Sequence, residues 1–132
     1  MRSVKALMDL SGRKALVVGG AGHIGGAVAD GLAELGATVS ILDLDEAACE
    51  AKLSSLAEYG NHGGAAVRCD LRDEKDTRRS IQAAISHMEG MDIIVHCAAF
   101  VGTTQMDGWA VHFEEQSVDA WDAAIRVNLS SA

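Results

Sequence analysis

The run Lys14-Ala15-Leu16-Val17-Val18 stops abruptly at Gly19-Gly20-Ala21-Gly22-His23-Ile24-Gly25, and this junction restricts the fold more than any other part of the chain. Five mostly apolar residues closed off by glycine read as a buried strand. Apolar positions then recur at helical spacing (Ile24, Ala27, Val28, Gly31, Leu32, Leu35), and Gly36 stands where a helix C-terminus favours glycine. A strand entering a helix through so tight a turn is the opening unit of an α/β fold. The same turn suits an anion. A helix N-terminus offers unpaired N–H groups and partial positive charge, and a phosphate reaches them only where no side chain stands in the way. Two registers fit the glycines: Gly20, Gly22 and Gly25 as GxGxxG, or Gly19, Gly22 and Gly25 as GxxGxxG. In either, Gly25 lets the helix pack close to the first strand.

The alternation continues along the chain. Residues 37–43 are rich in β-branched side chains and read as a second strand, after which Asp45 can cap a helix with Ala48, Leu53, Leu56 and Ala57 on its apolar face. A glycine-rich turn over residues 60–64 leads to a third strand over 65–69. Asp73 opens a helix with Ile81, Ala84, Ile85 and Met88 on one side, and residues 92–97 form a fourth strand. An irregular stretch over 99–116 precedes a last helix, capped by Ser117 and carrying Ala120, Trp121, Ala124, Ile125 and Leu129. Right-handed crossovers place such strands in one parallel sheet. The expectation is a doubly wound sheet in the order 3-2-1-4 with helices on both faces, forming one dinucleotide-binding domain over residues 1–132.

Asp43 ends the second strand 18 residues after Gly25. An acid there is placed to accept hydrogen bonds from the adenosine ribose hydroxyls and to repel a 2′-phosphate. Leu44 follows it, and no Arg or Lys occurs from Ile41 to Asp45, so NAD is favoured over NADP.

Composition narrows the function classes. With 19 acids against 11 Lys and Arg, a net charge of −8 and no basic cluster, the chain lacks the positive field that nucleic acid or an anionic membrane requires. No apolar run approaches the ~20 residues of a membrane span. Cys49, Cys69 and Cys97 are widely spaced and form no CxxC pair, and the first ten residues lack a secretory apolar core. A cytoplasmic protein is expected. His112, Glu114 and Glu115 precede the Ser117 cap without metal-site spacing, so no metal is expected. Trp109 and Phe113 suit either a substrate pocket or the pinning of their loop to the core, whereas Trp121 and Met88 suit helix packing.

Four segments, taken together, resemble the short-chain dehydrogenase/reductase family. Val18-Gly19-Gly20-Ala21-Gly22-His23-Ile24-Gly25 resembles its TGxxGxxG turn, particularly in the extended branch. Cys69-Asp70-Leu71 matches the acid and apolar pair after its third strand. His96-Cys97-Ala98-Ala99 stands in the place of its NNAG segment, and residues 121–129, WDAAIRVNL, resemble its helix with a functional asparagine. The resemblance covers nearly the whole chain and selects the Gly19, Gly22, Gly25 register. It implies that the glycine turn (Gly19, Gly20, Gly22, His23, Ile24 and Gly25) lies along a pyrophosphate and that Asp43 holds the ribose. It further implies that Asp70 and Leu71 frame the adenine, that Cys97, Ala98 and Ala99 pass beneath the cofactor, and that Asn128 belongs to the catalytic group, where it bends its helix and supports a proton relay.

Val18 replaces the family's threonine, and His96, Cys97 and Ala99 replace two asparagines and a glycine. The family's YxxxK pair has no counterpart: the single tyrosine, Tyr59, is followed four residues later by Gly63. The resemblance therefore implies the cofactor-binding half of an NAD(P)-dependent oxidoreductase, truncated before its Ser, Tyr and Lys. Such an enzyme acts on an alcohol or carbonyl, sugar-like substrates included, and is a homo-oligomer at full length. The fragment alone is expected to be inactive, and marginally stable or associating. A non-catalytic nucleotide-binding module is the alternative; a SAM-dependent methyltransferase shares the glycine turn but not the Asp70-Leu71 or WDAAIRVNL segments.

Overall fold

In the computed structural model, which describes residues 3–101 and 104–132, β1 (Lys14–Val18) occupies an inner position of a four-stranded parallel sheet with β2 (Thr38–Asp43), β3 (Ala66–Arg68) and β4 (Ile93–His96). The order is β3-β2-β1-β4, as the alternation predicts. Lys14 lies opposite Thr38 on one side of β1, and Val18 lies opposite His96 on the other. The helices are α1 (Val4–Met8), α2 (His23–Glu34), α3 (Glu46–Ser55), α4 (Glu74–Met88) and α5 (Val118–Ile125), with a π-helical turn at Arg126–Ser130 continuing α5. Helix α1, capped by Ser3, lies in the segment that carries no periodic signal. Part of the irregular stretch, residues 102–103, lies outside the described residues; within the rest a short 3₁₀ turn forms at Phe113–Glu115.

Alternate residues of the central strands face two separate cores, as a sheet covered on both faces requires. Ala15, Val17, Val39 and Ile41 pack with Ala29, Ala33, Cys49 and Leu56 beneath α2 and α3. Leu16, Val18 and Leu42 pack with Cys69, Leu71, Ala84, Met88 and Val127 on the face of α4 and the π-turn. The expected caps form: Asp45 accepts from Ala48 N, Asp73 from Lys75 N and Asp76 N, and Ser117 from Ala120 N.

Three apolar faces differ from the periodicity. Helix α2 buries Gly25, Gly26, Ala29 and Ala33, whereas Ile24 and Ala27 are exposed. The physical reason is distance: α2 sits so close to the sheet that only Gly and Ala are fully buried beneath it, while Val28 and Leu32 of the expected face pack against the same core partly buried. Helix α3 buries Cys49 where Ala57 was expected, because a 3₁₀ turn at Leu56–Tyr59 rotates the chain and turns Ala57 outward. Helix α5 buries Ala120 and Ala124 but leaves Trp121 63% exposed, so Trp121 does not pack within the chain, while Met88 does.

Candidate functional site

The C-terminal ends of the four strands open onto one cleft of about 390 Å³, at the point where the strand order reverses. Its walls come from the glycine turn (Gly19, Gly22), the end of β2 (Leu42, Asp43, Leu44), the segment after β3 (Cys69, Asp70, Leu71, Arg72) and the segment after β4 (Cys97, Ala98, Ala99, Phe100). Val127 and residues 104–106 close it.

Backbone geometry explains the glycines. Gly19 has φ +77°, and a Cβ there would strike the backbone of Cys97 and Ala98 where β4 leaves the sheet. Gly20 is buried, with Ile41 on the side a Cβ would occupy, and does not line the cleft. Gly22 is the N-cap of α2; it is exposed and lines the cleft, while its C=O accepts from Gly26 N at 2.7 Å. The cleft thus meets Gly19 and Gly22, the first two glycines of the GxxGxxG register. Gly25 lies under the turn, where a Cβ would overlap Gly19 O. His23 and Ile24 begin α2 with exposed side chains, so only their backbone amides point toward the cleft end of the helix.

Asp43 is half-buried at the end of β2. Its Oδ2 accepts from Ala21 N at 3.1 Å and its Oδ1 from Leu44 N at 2.7 Å. The carboxylate therefore also fastens the glycine turn to β2, a second task that the sequence pattern does not reveal. Each oxygen accepts one of these bonds and has capacity for another, and Asp43 lines the cleft.

Asp70 is gripped by Arg72. The guanidinium donates to both carboxylate oxygens, at 2.9 and 2.6 Å, and Arg72 N donates to Oδ1 at 3.0 Å. These bonds hold the Asp70 carboxyl below the ordinary carboxylate range against a smaller opposing effect of burial. Asp76 accepts from Asp70 N at 2.9 Å, so this loop is fixed from both sides. Arg72 and Asp76 are absent from the sequence expectation, although an Arg two residues after a site acid is a signal for such a clamp. Leu71 is buried beside them.

Asn128 does not line the cleft; it reaches it through Phe100. Its Oδ1 accepts from Phe100 N at 2.6 Å and its Nδ2 donates to Phe100 O at 3.4 Å. Its helix does depart from α geometry, in the π-turn that contains it. Trp109 pins its loop, donating from Nε1 to Val101 O at 2.8 Å and lying 6.0 Å from the Phe100 ring, whereas Phe113 is 83% exposed. His112, Glu114 and Glu115 are all exposed, and among the described residues no group of three or more His, Cys, Asp or Glu gathers as a metal site. Among the described residues, too, no helix is long and apolar enough to cross a membrane.

Arrangement and ancestry agree. Residues 19–132 match the family model described as enoyl-(acyl carrier protein) reductase. The chain is 36% identical over 123 residues to the rhamnolipid-biosynthesis 3-oxoacyl-[acyl-carrier-protein] reductase of Pseudomonas aeruginosa, covering 93% of this chain and 44% of that protein. It is 32% identical over 122 residues to D-threitol dehydrogenase of Mycolicibacterium smegmatis, covering 92% and 44%. Among solved structures, the Pseudomonas aeruginosa RhlG/NADP active-site complex superposes with a TM-score of 0.79 at 34% identity, covering 94% of this chain and 45% of that one. An NADP-bound 3-oxoacyl (acyl-carrier-protein) reductase from Agrobacterium tumefaciens superposes at 0.80 with 25% identity, covering 98% and 46%. The chain spans a little under half the length of these relatives. With the family match running from the glycine turn to its last residue, the chain belongs to the short-chain dehydrogenase/reductase family.

Proposed function

We propose that this chain is the cofactor-binding half of a nicotinamide-dependent dehydrogenase/reductase that interconverts an alcohol and a carbonyl. The observation that carries this reading is the cleft itself, where bare backbone at Gly19 and Gly22, the Asp43 carboxylate, the Asp70–Leu71 loop and the small residues Cys97, Ala98 and Ala99 face one another. A bound nicotinamide supplies the hydride chemistry. The chain's own residues bind and orient: the α2 N-terminus takes the pyrophosphate, Asp43 the ribose, Asp70 and Leu71 the adenine, and Asn128 supports the catalytic end through Phe100. The proton-transferring groups belong, on this reading, to sequence beyond Ala132, so the 132 residues alone turn over no substrate. A YxxxK pair in the continuing coding sequence supports it, and an authentic stop at Ala132 favours the non-catalytic module. The free thiols of Cys49, Cys69 and Cys97 fit a cytoplasmic setting.

NAD is the cofactor proposed, although relatives from Pseudomonas, Burkholderia and Agrobacterium have been solved with NADP. The ground is Asp43, whose charge opposes a 2′-phosphate, with Leu44 following it and no Arg or Lys from Ile41 to Asp45. Fluorescence titration of NADH and NADPH should show NADH bound more tightly. In Asp43→Ala the NADH-to-NADPH affinity ratio should fall roughly tenfold, the scale of one charged hydrogen bond. Because Asp43 also holds Ala21 N, damage to the turn alone would weaken both ligands equally. An unchanged ratio sinks the ribose role.

Self-association is proposed for the same reason that Trp121 is unpacked. Val118, Trp121, Ile125 and Leu129 form an exposed apolar stripe along α5 and the π-turn, and β4 is an outer strand with Ile94 exposed. Sedimentation velocity should find dimers or larger species whose share rises with protein concentration, reduced in Trp121→Glu. A monomer at all concentrations would refute it.

A further inference from the structure

The π-turn leaves one carbonyl to be satisfied. In a regular helix Ser131 N would donate four residues back, to Val127 O. Here it donates five back, to Arg126 O at 3.0 Å. The Ser131 hydroxyl takes its place, donating to Val127 O at 2.7 Å. A hydroxyl carries one proton, so with that proton committed Ser131 Oγ meets any other neighbour as an acceptor. That neighbour is His96 at the end of β4, whose Nε2 lies 3.1 Å away.

We infer that His96 is a positioning residue. Its Nε2–H, donated to Ser131 Oγ, completes a hydrogen-bonded chain from β4 to Val127 O and holds the π-turn in the register that brings Asn128 to Phe100. The placement of the two ties supports this. His96 immediately precedes Cys97, Ala98 and Ala99, and Phe100 immediately follows them. The floor of the cleft is thus bracketed by two ties to one π-turn, His96–Ser131 before it and Phe100–Asn128 after it. Without the first, the Ser131 hydroxyl is no longer held from β4 and is free to leave Val127 O; an α-helical register then becomes available, which would turn the 128 position away from Phe100 by part of a turn. The inference rests on the nucleotide reading only for its consequence in the cleft, not for its geometry.

The intact 132-residue chain tests it without cofactor. Ring ¹⁵N chemical shifts should show neutral His96 protonated at Nε2; protonation at Nδ1 overturns the inference whatever the variants do. Amide hydrogen exchange at Phe100 should quicken roughly five- to tenfold in His96→Leu and in Ser131→Ala, the scale of one lost hydrogen bond. The double variant should go no further, because both changes break the same tie. His96→Gln, whose terminal NH₂ can donate, should restore slow exchange. Unchanged exchange in the single variants, additive effects, or no rescue by Gln would each overturn the inference. Where NADH binds the native chain, its affinity should fall in His96→Leu while that of AMP, which spans only the adenosine end, holds; equal loss of both overturns the positioning role. If NADH binds no form of the chain, the proposed function fails while the tautomer and exchange results still decide this inference.

Discussion

Replacing Gly25 by alanine is expected to destabilise the chain by about 3 kcal/mol and to abolish measurable dinucleotide binding. A Cβ at this position would overlap the carbonyl oxygen of Gly19, with the Gly19 carbonyl carbon 2.7 Å and Gly20 Cα 2.9 Å away. All three are backbone atoms, so no side chain can swing aside. Relief requires α2 to lift from the end of β1, yet Gly19 O is the acceptor for Gly22 N at 3.2 Å, and Gly19 N is tied to Leu42 O at 2.8 Å. Moving the helix therefore breaks the turn that aims its N–H groups into the cleft. A shift of an ångström there removes the alignment on which anion binding at a helix N-terminus depends. Gly31→Ala is the internal control. It lies on the same helix, nothing stands within 4 Å of its Cβ position, and its φ is not in the left-handed region. Alanine at 31 should stabilise by about 0.5–1 kcal/mol through helix propensity. Urea titration of the three proteins gives the answer: a Gly25→Ala midpoint equal to that of the native chain would mean that α2 is not held by close backbone packing.

The contrast between Gly25 and Gly31 also explains how much of this protein is legible in its sequence. Strand β1, the turn and the strand order follow from local pattern, because an apolar run, a glycine cluster and a helical period each act over a few residues. Asp43 could be located from its place at the end of the second strand, and Asp70 and the Cys97–Ala99 segment from their resemblance to the family's motifs; all of them line the cleft. What could not be read is the partner of each group. Asp43 meets Ala21 N across the turn, Asn128 meets the backbone of Phe100, and His96 meets Ser131, all through contacts set by tertiary packing rather than spacing. The misplaced faces of α2 and α5 have a related cause. Hydrophobicity ranks Ile24 and Trp121 as core, but the close approach of α2 leaves only Gly and Ala fully buried beneath it, and Trp121 stays 63% exposed. Periodicity gives the phase of a helix and not its distance from the sheet.

Asn61 is the clearest case of a decisive residue hidden in an ordinary turn, and its loss is the second large effect expected. Read in sequence, Gly60-Asn61-His62-Gly63-Gly64 is a connection between a helix and a strand. In the fold, Asn61 is 6% exposed, its Oδ1 accepts from Val39 N at 2.9 Å, and its Nδ2 donates to Val39 O at 2.9 Å. Strand β3 pairs only with Ile41, Leu42 and Asp43 of β2, so at Val39 the sheet has run out of neighbour and one side chain stands in for the missing strand. Chain packing leaves little room for a substitute: a Cβ at Gly64 would strike Val39 O, and the Asn61 amide nitrogen lies 3.1 Å from the same point. Asn61→Ala strips both bonds from a buried residue. Each unpaired backbone group costs about 1–3 kcal/mol, less what an entering water restores, and the loss should be about 3 kcal/mol. Against the ~5–15 kcal/mol of a typical domain, that is enough to populate the unfolded chain visibly at 37 °C. Asn61→Asp separates the two bonds. A carboxylate can still accept from Val39 N, but it has no proton for Val39 O and sets charge against that carbonyl, so Asp should be no better than Ala despite its matching shape. Urea midpoints at unchanged m-value measure both. An Asn61→Asp protein as stable as the native chain would show that the Val39 carbonyl needs no donor, and the side chain would then be filling space rather than finishing the sheet.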